Sequence, residues 1–383
     1  MAGEVTPQTA VLGARLERAR AGLAPQGAAA LLIGIGADLR YLTGYTAHAL
    51  ERLTMLVVPA EGPLALIVPR LEAMAAAACP AGSAGLLDVV PWEETKDPYA
   101  LVAARIAGAL DGRLLVDPVL PARHVLALQH ALPNRTFGLA TDVTRELRMV
   151  KDAAEVELLR RAARTADRVV AQIAAGPLVG RTEADVSREV RERLVAEGHE
   201  AASFAIVASG PNGASPHHEA SDRVIAPGDP IVLDIGGTVE GYGSDITRML
   251  WVTGGDPAHE PTAEFLAVFQ LVLAANAAAT AAVRPGVACT DLDEIARRVI
   301  RDGGHGDEFI HRLGHGIGLE AHEDPYLIAG NAEPMRPGYA FSIEPGIYLA
   351  GQFGVRIEDI VVCTATGPDV LNEAPRELLV VVG

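Results

Sequence analysis

Two Pro-Gly turns, Pro227-Gly228 and Pro337-Gly338, stand 110 residues apart in this chain, and each opens an apolar, strand-like run. Seven residues after each proline that run carries an acid: Asp234 in IAPGDPIVLDIGG and Glu344 in MRPGYAFSIEPG. The upstream elements correspond as well. Thr182-x-x-Asp185 opens an amphipathic helix through Val186, Val190 and Leu194, and 108 residues on Thr290-x-x-Asp293 opens another through Ile295, Val299 and Ile300. Both starts have the form of a capping box, in which side chains three positions apart satisfy free backbone amides. A long alanine-rich helix precedes each. The spacing predicts two copies of one helix–helix–strand unit, each with an acid at the same strand position.

A second acid follows in each copy. In LDIGGTVEGYGSDITR, Asp234 and Asp245 are symmetric about Val239-Glu240, and Glu344 and Glu358 are symmetric about Gly351. A hairpin turning at each centre would set the acids of a pair directly opposite, with Cβ atoms roughly 4.5–5.5 Å apart. An ionised carboxylate in apolar surroundings is costly unless a positive group meets it. A single acid of this kind is usually an exposed charge or the partner of an arginine such as Arg248 or Arg356. Four of them, symmetrically placed, are better balanced by two divalent cations, and the pattern predicts a dinuclear centre.

Histidines cluster near these acids. FIHRLGHGIGLEAHEDP holds His311, His315 and His322, and SGPNGASPHHEAS holds His217 and His218. Gly314, Gly316 and Gly318 disfavour a helix there, and in an extended segment His311 and His315 share a face. An imidazole among carboxylates suits Mn, Co, Zn or Fe(II), not copper or an iron–sulfur cluster.

The first 145 residues have a different texture, with a helix over 12–22, a strand at 29–36 and a hairpin of MLVVP (55–59) and LALIVP (64–69). GIGADL at 34–39 has Leu39 where a dinucleotide-binding loop needs its third glycine, and reads as an ordinary turn. LRMVKDAAEVELLRRAARTADRVVAQIAAG then reads as one long helix, with Val156, Leu159, Ala163, Val170 and Ile173 on one face. The expected division is therefore 1–145 and 146–383. A net charge of −17 argues against nucleic acid or an anionic membrane as partner. The uncharged run 265–283 is long enough to raise the question of a membrane span, but Gln270, Asn276 and Thr280 point to a buried helix. Cys79, Cys289 and Cys363 have neither disulfide-framework nor thiolate-site spacing. MAGEVTPQTA lacks the features of a secretory signal, so a cytoplasmic location is expected.

Together LDIGGTVEGYGSDITR, HRLGHGIGLEAHEDP, SIEPGIY and GVRIEDIVV resemble the pita-bread metallopeptidases of the M24 type, which include methionine aminopeptidase, aminopeptidase P and prolidase. LRMVKDAAEVELLRRA and ADLRYLTGY resemble the linker helix and a motif of the creatinase-type N-terminal domain. The resemblance implies an α/β chain: a creatinase-type N-terminal domain, then a duplicated ααβ domain with a pseudo-twofold axis. It implies Asp234, Asp245, His315, Glu344 and Glu358 as ligands of two divalent metals, Mn above Co, Zn or Fe(II). Asp245 and Glu358 match the bridging positions; His315 and Glu344 fall on one metal and Asp234 on the other.

His217, or its neighbour His218, matches the substrate-side histidine, and His322 matches the one at the scissile region. His311 and Arg356 match supporting positions. The implied reaction is attack of a metal-bridging hydroxide on the scissile carbonyl, with Glu344 moving a proton to the leaving nitrogen. The large N-terminal domain favours the Xaa-Pro branch, and the resemblance leans to a dipeptidase acting on small peptides with proline second and implies a homodimer. The alternatives are an Xaa-Pro aminopeptidase on longer peptides, a hydrolase or lyase of a small non-peptide metabolite, and a non-enzymatic binding protein on the same fold.

Overall fold

A computed structural model of the chain describes residues 7–106 and 111–383. The opening segment read above for signal character lies largely outside these residues. By internal contacts the chain forms two compact units, Met1–Arg148 and Met149–Gly383.

The first unit is built on a six-stranded sheet in the order Asp88–Trp92, Ala65–Pro69, Met55–Pro59, Ala28–Ile33, Arg113–Val116, Phe137–Leu139. The pair Met55–Pro59 and Ala65–Pro69 is the expected antiparallel hairpin, while Ala28–Ile33 runs parallel to Arg113–Val116. Buried aliphatic residues of the central strands, Leu32, Val57, Ile67 and Leu114 among them, form its core. GIGADL leads into the helix Ala37–Thr43. A Cβ at Gly34 would lie 2.8 Å from Leu120 Cδ1, so this glycine serves close packing.

The second unit contains the duplication. The helices Ala153–Ala174 and Glu183–Ala196 pack on a sheet holding Ala201–Ser209, Pro230–Val239 and Ile246–Val252, through Val170, Ile173, Val186, Val190, Leu194, Val207 and Leu233. The helices Ala263–Ala282 and Cys289–Asp302 pack on a second sheet holding Gly314–Gly316, Ala340–Ile343 and Asp359–Cys363. The sheets meet at a bridge between Thr247 and Glu358, where the Glu358 amide donates to the Thr247 carbonyl at 3.2 Å. Both Pro-Gly turns hold their glycine in the left-handed region, at φ +89° for Gly228 and +94° for Gly338.

Three local expectations are corrected. The long helix is broken at residues 150–152, between Thr141–Met149 and Ala153–Ala174. Val150 pairs with Tyr339, the Lys151 amide donates to the Gly338 carbonyl, and Asp152 starts a new helix with a capping box completed by Glu155. Thr182 does cap its helix, accepting from the Asp185 amide, but Thr290 does not. The second helix begins at Cys289 and buries Leu292, Ala296 and Ile300, leaving Ile295 and Val299 only partly covered.

The third correction concerns register. The first hairpin turns at Glu240-Gly241, with φ +49° and +84°, the left-handed pair that a tight two-residue turn requires. Asp234 therefore faces Thr247, and Asp245, just before the partner strand begins at Ile246, comes diagonally across from Asp234. The second hairpin does turn about Gly351, with Ile347 facing Val355 and Ile343 facing Asp359, so Glu344 and Glu358 flank it symmetrically.

Candidate metal centre and active site

The strand ends deliver the acids to one place. Asp234 lies mid-strand in Pro230–Val239, Asp245 just precedes Ile246–Val252, Glu344 follows Ala340–Ile343, and Glu358 lies between Phe353–Arg356 and Asp359–Cys363. With His315 from Gly314–Gly316 they line a cavity of about 690 Å³, together with His217, His311, His322 and Arg356. All nine residues singled out by the family motifs thus face the same space. Phe204, Ile206, Ile310 and Ile328 give it apolar walls.

Ligand atoms of Asp245, His315 and Glu358 lie within 4.8 Å of one another. His315 Nε2 stands 3.3 Å from Glu344 Oε1 and 3.7 Å from Asp245 Oδ2. The Gly316 carbonyl, 3.1 Å from His315 Nδ1, fixes the proton on that nitrogen and leaves the Nε2 lone pair facing carboxylate oxygens. Burial, more than any other cause, lowers the His315 pKa to about 3, so the ring is neutral.

The acids respond to their crowding. Burial, then the charges of Asp234 and Glu344, raise Asp245 well above its ordinary pKa. Burial followed by Asp245 and Glu344 does the same to Glu358, and burial pushes Glu344 up to about 7 despite the opposing Arg356 charge. Asp234 Oδ1 is buried with no hydrogen-bond partner. A neutral imidazole lone pair aimed at carboxylates, an orphaned carboxylate oxygen and three acids driven toward protonation together fit a cluster built for cations. Oxygen-rich ligation with one imidazole suits borderline-hard divalent ions.

A shell of hydrogen bonds orients these groups. Arg356 donates to Asp234 Oδ2 at 2.5 Å, to Tyr348 Oη at 2.8 Å and to Thr247 Oγ1 at 3.1 Å, so the arginine partner weighed for a lone acid is present, on one oxygen of Asp234. Thr247 in turn donates to Glu358 Oε2 at 2.7 Å. His311 points Nδ1 at the Arg312 carbonyl, 2.7 Å away, so its Nε2 accepts from Tyr348 at 2.9 Å. Burial first, then Arg356, lowers the His311 pKa to about 4. Asn276, from the helix Ala263–Ala282, donates to the carbonyls of Ile343 and Ile357, the residues just before Glu344 and Glu358. Buried Lys151 pairs with Glu323 at 2.7 Å, anchoring the chain beside His322.

Sequence reading missed Tyr348, Thr247, Asn276, Lys151 and Glu183. The available signal was the polar residue inside an apolar element, as in Asn276 among alanines. The adjacent histidines separate in space: His217 lines the cavity, whereas His218 turns to Glu183, 2.8 Å away.

Residues 157–365 match the model of metallopeptidase family M24, and residues 15–150 match the creatinase/prolidase N-terminal domain. The chain belongs to metallopeptidase family M24. Within the family it is 46% identical over 372 residues to a probable dipeptidase PepE of Mycobacterium tuberculosis, covering 97% of each chain. It is 39% identical over 246 residues to an Xaa-Pro dipeptidase of Pyrococcus furiosus, covering 64% of this chain and 69% of that one. The crystal structure of dipeptidase PepE from Mycobacterium ulcerans superposes with a TM-score of 0.91 at 47% identity, covering 98% and 99% of the two chains. Membership of M24 makes the chain a metallopeptidase with the duplicated pita-bread architecture, and the family implies divalent metals at this cluster.

Proposed function

We propose that the chain is an Xaa-Pro dipeptidase, in which Asp234, Asp245, His315, Glu344 and Glu358 hold two divalent cations, Mn foremost. Such ions supply Lewis acidity toward the scissile carbonyl and lower the pKa of bound water toward neutrality. Glu344, with its elevated pKa and its place at the cavity wall, takes up a proton and passes it to the leaving nitrogen. His322 accepts from Arg312 Nη2 on Nδ1 at 3.2 Å, which leaves its Nε2–H free to donate to the developing oxyanion. His217 orients the substrate. Arg356 and Tyr348 hold Asp234 and His311 in place.

The observation carrying the dipeptide reading is Arg312. Its guanidinium lines the cavity, lies over the Tyr326 ring at 4.5 Å, and has no carboxylate within ion-pair reach among the described residues. The α-carboxylate of a dipeptide supplies that partner, whereas a longer peptide offers a neutral amide at the same place. The P. furiosus relative named an Xaa-Pro dipeptidase supports proline as the second residue.

The test compares Ala-Pro with an Ala-Pro tripeptide on Mn-loaded enzyme. Turnover of the dipeptide far above that of the tripeptide is expected, and Arg312→Ala should raise the dipeptide KM roughly ten- to a hundredfold, the worth of a charge-assisted hydrogen bond. Equal turnover of both peptides would favour an aminopeptidase, and turnover of neither would redirect the search to non-peptide substrates. The homodimer rests on the family resemblance, and light scattering of the purified protein tests it.

A further inference from the structure

Glu183 lies outside the cavity, yet it is fully buried and carries the densest set of hydrogen bonds in its neighbourhood. Its Oε1 accepts from the Ser209 amide and hydroxyl, both at 2.7 Å, and from Asn212 Nδ2 at 3.0 Å. Its Oε2 accepts from the Ser221 amide at 3.1 Å, the Ser221 hydroxyl at 2.7 Å and His218 Nε2 at 2.8 Å. Every donor belongs to the segment 209–221. Burial opposes the charge, but the hydrogen bonds from Ser221, Ser209 and His218 outweigh it and bring the pKa down to about 2.

Gly213 of that segment packs against Gly354, and the Ala184 amide donates to the Ser221 carbonyl at 3.0 Å. After the short 3-10 turn Gly210–Ala214, residues 215–223 form neither helix nor strand. The His218 amide donates to the Ser215 carbonyl, closing a turn whose central residues are Pro216 and His217. The His217 imidazole makes no hydrogen bond among the described residues, so where it points depends on the backbone on either side and on the cavity wall around it. On the C-terminal side that backbone is tied to Glu183 through His218 and Ser221; on the N-terminal side, through Ser209 and Asn212.

We propose that Glu183 is a positioning residue for His217, holding the turn Ser215–His218 so that this imidazole faces the cavity. The inference rests on the reading of His217 as a substrate-side group. Glutamine has nearly the shape of glutamate, but its amide group would set its own donors against two or three of the six, so the anchor fails without a change of volume. A displaced histidine costs catalysis steeply, because misplacement by about 1 Å can cost about a hundredfold in rate.

The experiment is a double-mutant cycle on the full, Mn-loaded chain with Ala-Pro: Glu183→Gln, His217→Ala and both together. Glu183→Gln should lower kcat/KM by roughly ten- to a hundredfold, chiefly in kcat, and should have no further effect once His217 is alanine. An equal loss in both backgrounds would overturn the proposal, because Glu183 would then act on the whole fold. Should Glu183→Gln not fold, Ser221→Ala and Asn212→Ala remove single contacts and must show a smaller loss with the same dependence on His217.

A second readout does not need turnover. In metal-free protein the His217 ring resonances should be single and sharp in the wild type and broadened or split in Glu183→Gln. Unchanged resonances would refute positioning. Changed resonances in an enzyme inactive on Xaa-Pro peptides would sustain positioning and reject the substrate reading alone.

Discussion

His199 is buried with its Nε2 2.9 Å from Ser244 Oγ, and burial lowers its pKa to about 4. The folded chain therefore keeps this ring neutral between about pH 4 and the ordinary value of 6.5, where the unfolded chain binds a proton. Stability falls as pH drops through that window. Between pH 7 and 5 the loss from this group is on the order of 2 kcal/mol, and His199→Gln should flatten that part of the profile of metal-free protein in urea titrations. An unchanged slope in the variant would exclude His199 as the cause. Glu183 has the opposite chemistry: its depressed pKa stabilises the fold above about pH 4.5, and that contribution disappears as pH falls toward 2. It leaves the slope between pH 7 and 5 untouched.

At the scale of elements, the helix Ala263–Ala282 is long and apolar enough to cross a membrane by length and composition. In the fold it is a core helix, with Phe265 against Trp251 at 4.7 Å between ring centroids and Asn276 reaching the carbonyls ahead of Glu344 and Glu358. Asn276→Leu should cost about 1–3 kcal/mol, since it leaves buried carbonyls without their donor, and should weaken metal binding along with it. Calorimetric titration with Mn and urea unfolding would measure both, and wild-type metal affinity in the variant would contradict the coupling.

Asp234, Glu344 and their second acids were legible in the sequence because a duplicated period carried them. The facing of Asp234 by Thr247 was not, because the turn centre depends on Glu240 accepting a left-handed conformation, which glutamate seldom does. The break at residues 150–152 was hidden for a similar reason: helical periodicity runs through it, and only the pairing of Val150 with Tyr339, far along the chain, makes it necessary.

For the molecule as a whole, the buried acid cluster is a reservoir of instability. Asp245, Glu344 and Glu358 all have raised pKa values, burial being the leading cause for each, so the metal-free fold tolerates a charge arrangement that it would be more stable without. Mn at a hundredfold above its dissociation constant should add about 2.7 kcal/mol to stability. Asp245→Asn should match or exceed the metal-free wild type in melting temperature, yet gain little when Mn is added. A variant less stable than metal-free wild type would show that Asp245 has a structural role beyond ligation.

The three cysteines are buried thiols outside any disulfide, with Cys79 in the first unit and Cys289 and Cys363 in the second. A thiol reagent can reach none of them until the surrounding structure opens, and burial also holds the Cys79 and Cys363 thiols above their ordinary pKa. Each unit thus contains its own chemical clock. Pulsed alkylation followed by peptide mapping would time the opening of the two units separately, and metal should slow the clock at Cys289 and Cys363 while leaving Cys79 at its own pace.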